Sequence, residues 1–338
     1  MRQVYKTLAV LLTFFVGCLA LFSPGPALAQ EETYEIKVAT LAPEGTDWID
    51  VANMIKRYME EKSSGRVKVL IYAGGVMGDD PDVIRKMRLG QVQLAGFSGH
   101  GTHLCAPEMA LMELPYIVDT EAKVDALYKQ MNQEFKGFFA KHGFRLLYLV
   151  REGYNQLYTQ IPIRTLEDMK KIKPHTWTGK VEERTFNALG SRPQAIGAVE
   201  SVPAMRAGII NAHFSPALWE LGTQLFTIDK YINFPTMRYH PASLVFAEKA
   251  WQKYPKWVQD LGVEACEKYG PILYQKAKEG EVKSIKAFQE YGMKLVKLSP
   301  EEERPFREAT RPVWDKLAGD VYPKDALDKV LAILKTVK

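Results

Sequence analysis

The sequence predicts an α/β protein built on a mostly parallel sheet. Three observations carry that prediction. Short apolar-rich stretches with strand patterning occur at residues 34–40, 67–72 and 94–98. Helical stretches with one apolar face lie between them. Gly and Pro punctuate the boundaries. A βαβαβ order of this kind closes on a parallel sheet with helices on both faces.

Residues 34–40 (YEIKVAT) alternate apolar and polar side chains and read as a strand. Thr46 is expected to cap a helix with Trp48, Val51, Ile55, Tyr58 and Met59 on one face, ended by Gly65. Residues 67–72 (VKVLIY) read as the second strand. Asp80-Pro81 opens a short helix with the aspartate as cap, Gly90 closes it, and residues 94–98 form the third strand.

One long helix is expected over 121–142, with Val124, Leu127, Met131, Phe135 and Phe138 buried. The apolar run 144–150 (FRLLYLV) suits a strand inside a sheet. Thr165-Leu166-Glu167-Asp168 resembles a capping box, with aspartate in the place of glutamate. A helix over 199–207 stops at Gly208, and 209–214 reads as a strand. Residues 248–290 are rich in helix formers and read as long helices packed across the molecule.

The first thirty residues stand apart. Arg2 and Lys6 precede an apolar run over 8–21, a helix-breaking Ser-Pro-Gly-Pro, and the small-x-small triplet Ala27-Leu28-Ala29. That order reads as a secretory signal peptide over 1–29 and places the mature protein in the periplasm. The run is too short for a membrane anchor of about 20 residues. A lipoprotein anchor at Cys18 is disfavoured because the apolar run continues past it. Of the remaining cysteines, Cys105 and Cys266 could pair or stay as buried thiols.

Composition excludes some functions. Lys and Arg number 45 against 40 Asp and Glu, too small an excess to argue for nucleic acid. No G-x-S-x-G or H-E-x-x-H occurs, so neither hydrolase nor zinc-peptidase chemistry is indicated. His100 and His103 lack a matching carboxylate or cysteine pair in sequence and read as loop polar residues, not metal ligands. No cofactor is indicated. Trp177, Phe214, Trp219, Tyr239 and His240 fall near predicted strand ends and turns, where α/β sheets place ligand pockets.

Three segments then resemble the extracytoplasmic solute-binding proteins of TRAP transporters, the DctP-type family. Residues 78–95 follow its "LGDD…LGxVDxA", residues 106–116 its "xPEFxxxxLPFLF", and residues 162–170 with 204–212 its "RPIxTPEDLK" and "ALQTGVVDG". The resemblance implies a two-lobed fold with hinge strands, a long helix spanning both lobes, and closure around a small molecule for delivery to a membrane permease. Lobe I is expected mainly in 30–150, lobe II with hinge crossings mainly in 151–245, and spanning helices in 246–338. A ligand-sensing role for a membrane receptor is the alternative within the same fold, and an enzyme is not expected.

The departures from the family pattern concern the ligand. Members that bind organic acids place an arginine after "LK-I" as a bidentate carboxylate clamp. Here His175 stands in that position, Asn155 replaces a second arginine, and Ser215 replaces the asparagine of "QENP". A neutral or hydrophobic ligand follows, because a carboxylate in such a pocket would be buried without a partner. A cation supplied instead by Arg151, Arg192 or a protonated His175 is the alternative. A family branch that works with a tetratricopeptide-repeat partner is similar in lacking the clamp. The residues expected at the ligand are Leu41, Ser98, His100, Tyr116, Asn155, His175, Trp177, Phe214, Ser215, Trp219 and Tyr239.

Overall fold

The structure, a computed structural model, describes residues 32–177 and 179–337. The expected leader, with Cys18, lies outside the described residues. Strand β1 (Tyr34–Thr40) pairs in parallel with β2 (Val67–Tyr72) and β3 (Leu94–Phe97), the first half of a nine-stranded sheet. Helices α1 (Asp47–Lys62) and α2 (Asp80–Arg88) connect them, and α3 (Gly99–Cys105) follows β3. The βαβαβ start is thus as the sequence predicts.

Two long strands carry the sheet onward. β4 (Phe144–Thr159) and β8 (Tyr231–Ala247) run antiparallel along almost their whole lengths. One end of β8 pairs with β3, while the opposite end of β4 pairs with β7 (Ala212–Pro216). β5 (Pro174–Thr176) and the two-residue β6 (Gln194–Ala195) complete the sheet in parallel with β7, and β9 (Lys294–Leu295) joins β8. The register of β4 on β8 shifts between Arg151 and Gly153. At that point the ladder leaves one half of the sheet for the other.

The apolar cores separate along the same division. A large cluster surrounds β1, β2, β3 and the first half of β4, with Val38, Phe97, Phe139 and Val245 among its members. A second gathers Ile163, Phe186, Phe214 and Phe234 on the far half, flanked by two smaller clusters. This is the two-lobed arrangement, with β4 and β8 as the crossing strands.

The remaining α-helices longer than one turn are α4 (Glu121–Gln130), α5 (Asn132–Lys141), α6 (Lys180–Ala188), α7 (Ala198–Arg206), α8 (Ala217–Thr223), α9 (Lys256–Tyr291), α10 (Pro300–Leu317) and α11 (Lys324–Leu334). The 36-residue α9 is the spanning helix. Its Glu281 fastens the crossing strand, accepting from the Arg151 guanidinium, the Tyr154 backbone N–H and the Gln156 amide at 3.1, 3.2 and 3.1 Å.

Several expected boundaries move. The single helix over 121–142 is two, because Met131 leaves helical geometry (φ −108°, ψ 10°) just before Asn132. Asp79, not Asp80, caps α2: its Oδ1 accepts the Asp80 N–H at 2.8 Å, placing Asp80 and Pro81 inside the first turn. Thr46 occupies the cap position of α1, but its hydroxyl donates to the Pro43 carbonyl instead. The strand expected at 144–150 continues to Thr159, because a register shift between Arg151 and Gly153 bends the ladder without ending it. The strand expected at 209–214 begins only at Ala212, because Asn211 is spent on a loop contact with the Lys173 backbone. The box at Thr165 and Asp168 forms as read, both halves reciprocated. Cys105 and Cys266 are free and buried, and burial pushes the Cys266 thiol up to about 12.

Candidate functional site

The cleft lies beyond the carboxyl ends of β1, β3, β5 and β7, where open α/β sheets hold their ligands. The turn after β1 contributes Leu41, Pro43 and Thr46, and β3 leads into Ser98 and His100. From the other half come Trp177 after β5, and Pro216, Leu218 and Trp219 after β7. Trp48 of α1, Asp80 of α2 and the crossing-strand residues Glu152 and His240 complete a cavity of about 70 Å³.

The halves touch across it. The Trp177 indole stacks on the His100 imidazole (centroids 5.7 Å apart, 28° between planes) and meets Trp219 edge-on at 6.1 Å. Asp79, whose Oδ1 caps α2, also accepts the Ala198 N–H of α7 at 2.6 Å through Oδ2. One carboxylate therefore caps a helix in each half.

The charges of the lining pair off. His100 Nδ1 lies 3.2 Å from Asp80 Oδ2, and His240 Nδ1 lies 3.1 Å from Glu152 Oε2. Burial pulls both imidazoles down, but their carboxylates outweigh it and raise both. Two imidazoles thus face two carboxylates. Among the described residues no lysine or arginine lines the cavity.

Two buried guanidiniums, of Arg238 and Arg151, are committed to carboxylates outside the cleft. Arg238 is buried between Glu113 (2.8 Å) and Glu182 (2.7 Å). Arg151 is held by Glu121 and Glu281. Arg192 lies with Lys180, Glu183 and Asn187 in a neighbouring depression that shares only Trp177 with the cleft lining.

Of the residues expected at the ligand, Leu41, Ser98, His100, Trp177 and Trp219 line the cleft. The other six do not. His175 is buried behind Trp177: its Nε2–H donates to the Ile196 carbonyl at 2.8 Å and its ring meets the indole edge-on at 4.6 Å. Burial lowers its pKa and so disfavours the charged ring. Phe214 packs on Phe186 in the second core, and Tyr239 donates to the Tyr128 hydroxyl in the first. Strand alternation explains Tyr239: its neighbour His240 points into the cleft, so Tyr239 points away. Asn155 and Ser215 are fully buried on β4 and β7. Tyr116, in a left-handed turn (φ 61°), sits under the Arg307 guanidinium at a different surface.

The sequence does not point to Asp80, Glu152 or Trp48, and His240, grouped with the aromatics near strand ends, is absent from the residues expected at the ligand. Trp48 follows the apolar periodicity of α1 and was assigned to the core. His100 and His103 are not loop residues as expected: they lie on α3, paired with Asp80 and Glu113, carboxylates remote in sequence. Asp79, Asp80 and His100 bring ligand atoms within 4.8 Å of one another, but both Asp79 oxygens are engaged as caps.

Comparison with known proteins agrees with this geometry. The family described as bacterial extracellular solute-binding protein, family 7 (DctP), matches residues 38–320. The ectoine-binding periplasmic protein TeaA of Halomonas elongata is 23% identical over 85% of this chain and 86% of its own. The sialic acid-binding periplasmic protein SiaP of Vibrio cholerae is 20% identical over 90% and 94%. A TRAP periplasmic solute-binding protein from Sulfurospirillum deleyianum, solved with bound succinate, superposes with a TM-score of 0.83 at 21% identity, covering 91% of this chain and 100% of that one.

Proposed function

The chain belongs to family 7 of the bacterial extracellular solute-binding proteins, the DctP family, and from that premise we propose that its solute is uncharged and largely apolar. It is a periplasmic solute-binding protein of the TRAP type that serves a membrane transporter, and not an enzyme.

The observation that carries the proposal is the charge pairing of the cleft. Asp80 with His100 and Glu152 with His240 leave no unmatched positive charge for an anion. An anionic solute would bury its charge beside two carboxylates, at a cost of several kcal/mol. Three indoles, from Trp48, Trp177 and Trp219, offer apolar walls instead. Behind Trp48, Thr40 and Gly96, which also line the cleft, lies an almost wholly apolar cavity of about 60 Å³ between the sheet, α1 and α9. An apolar end of the solute would abut this wall.

The remaining parts of the reading follow. Leu41, Ser98, His100, Trp177 and Trp219 contact the solute, while His175 supports Trp177 from behind. Lobe I lies mainly in 30–150 and lobe II mainly in 151–245, consistent with a crossing near Gly153 and His240. Residues 1–29 direct export. The missing clamp arginine also supports a tetratricopeptide-repeat partner in place of a permease acting alone.

Native mass spectrometry of gently purified mature protein, with solvent extraction of whatever co-purifies, tests the ligand class. A neutral lipid, isoprenoid or other apolar compound is expected. Recovery of a dicarboxylate or keto acid would overturn the proposal and direct attention to Arg151 and Arg192.

A further inference from the structure

On the face of β7 opposite Phe214, His213 turns into the interior of lobe II. Its Nε2 lies 3.1 Å from Asp229 Oδ2 and 3.3 Å from Glu220 Oε2. Glu220 comes from α8 and Asp229 from the loop that enters β8. All three side chains are at most 4% exposed, and their ligand atoms lie within 4.8 Å of one another. The Tyr158 ring lies against the His213 imidazole (centroids 5.6 Å apart) and packs in turn on Phe288.

The cluster is unsatisfied as it stands. Neither oxygen of Glu220 accepts a hydrogen bond, nor does Asp229 Oδ1. Among the described residues His213 is the sole basic side chain paired with either carboxylate. An imidazolium supplies a single positive charge against two buried carboxylates. A charge left unmatched in such a place is costly. A divalent cation bound by a neutral imidazole and both carboxylates balances the charge and uses the unpartnered oxygens.

We infer that His213, Glu220 and Asp229 form a buried site for a divalent transition metal of the zinc type. One imidazole nitrogen with carboxylate oxygens suits zinc and its first-row neighbours better than calcium or magnesium, which take oxygen alone. The spacing also fits: tetrahedral bonds of about 2.0–2.1 Å put neighbouring donor atoms about 3.3 Å apart. The ion would staple β7, α8 and the start of β8. Because α8 also carries Leu218 and Trp219, the staple would hold one wall of the cleft.

The test is metal analysis of the full-length protein, exported and purified in metal-depleted buffer. About one equivalent of zinc or a first-row neighbour should survive dialysis. Dipicolinate should remove it and lower Tm, and zinc should restore both. Glu220→Gln and Asp229→Asn should each lose the metal. Should either variant fail to fold, cobalt(II) added to stripped wild-type protein gives a second readout, visible d–d absorption displaced by zinc. The rival arrangement is a proton shared between the two carboxyls. No retained metal, no zinc effect on Tm, no cobalt spectrum and a Glu220→Gln variant more stable than wild type would establish it and overturn the site.

Discussion

Asp79 Oδ2 accepts the backbone N–H of Ala198 at 2.6 Å, so an aspartate of lobe I caps the first turn of a lobe II helix. The bond exists only while the lobes are together, and it therefore biases closure. Removing a cap costs about 1 kcal/mol. Asp79→Ala should shift the population toward the open form and weaken solute binding about five-fold. Small-angle scattering should give a larger radius of gyration for the variant than for wild type. An unchanged radius would mean that other contacts, such as Trp177 on His100, dominate closure.

His175→Arg separates the neutral-pocket reading from its rival. The imidazole is 1% exposed and donates to the Ile196 carbonyl. A guanidinium there would be buried and would lose that bond, at about 1–3 kcal/mol or more. Tm should fall. Millimolar succinate should recover part of the loss by pairing the new charge, and wild type should show no such response. If wild type is stabilised by succinate equally, a cation already serves the pocket.

The fold was legible because its signals are local. Strand alternation at 34–40, the helical face of α1 and the Thr165 box depend on neighbours within a few residues. The site was legible only in part. Ser98 and Trp177 follow strand ends, where ligand contact is expected. Glu152 and His240 sit on crossing strands, where one step of register decides between cleft and core, so Tyr239 was taken for its neighbour. The position of the family arginine was read at His175, but sequence cannot tell that its ring faces Ile196 and supports Trp177 from behind. His213, Glu220 and Asp229 are separated by turns, and nothing short of the fold brings them together.

Glu113 should make the protein acid-labile in a defined window. Burial pushes its carboxyl up, but His103, His240 and Arg238 overcome this and hold it at about 2, below the ordinary 4.5. A depressed folded pKa means that the unfolded chain takes up the proton first. The stabilisation is therefore complete above about 4.5 and is lost as pH falls toward 2. The shift corresponds to about 3 kcal/mol. Urea titrations from pH 6 to pH 2 should show this loss in wild type. Glu113→Gln should be less stable at pH 6, because Arg238 loses one of its two partners, and flatter below pH 4.5. Parallel pH curves for the two proteins would assign the acid loss to other carboxylates.

Gly99 lies tight against His240, a residue of the cleft lining. A Cβ built on it would fall 2.0 Å from His240 Cδ2 and 2.2 Å from Nε2. The backbone of Gly99 carries no positive φ, so the constraint is space and not conformation. In Gly99→Ala the imidazole must move, and it leaves Glu152 buried without its partner. Overpacking of this kind costs about 1–3 kcal/mol. The unpaired carboxylate should then admit a cationic solute in preference to a neutral one. Denaturation should show the stability loss, and thermal-shift screening should show new responses to small amines absent from wild type. Retention of wild-type stability would mean that the His240 ring has room to turn aside and that its pairing with Glu152 is not fixed by Gly99.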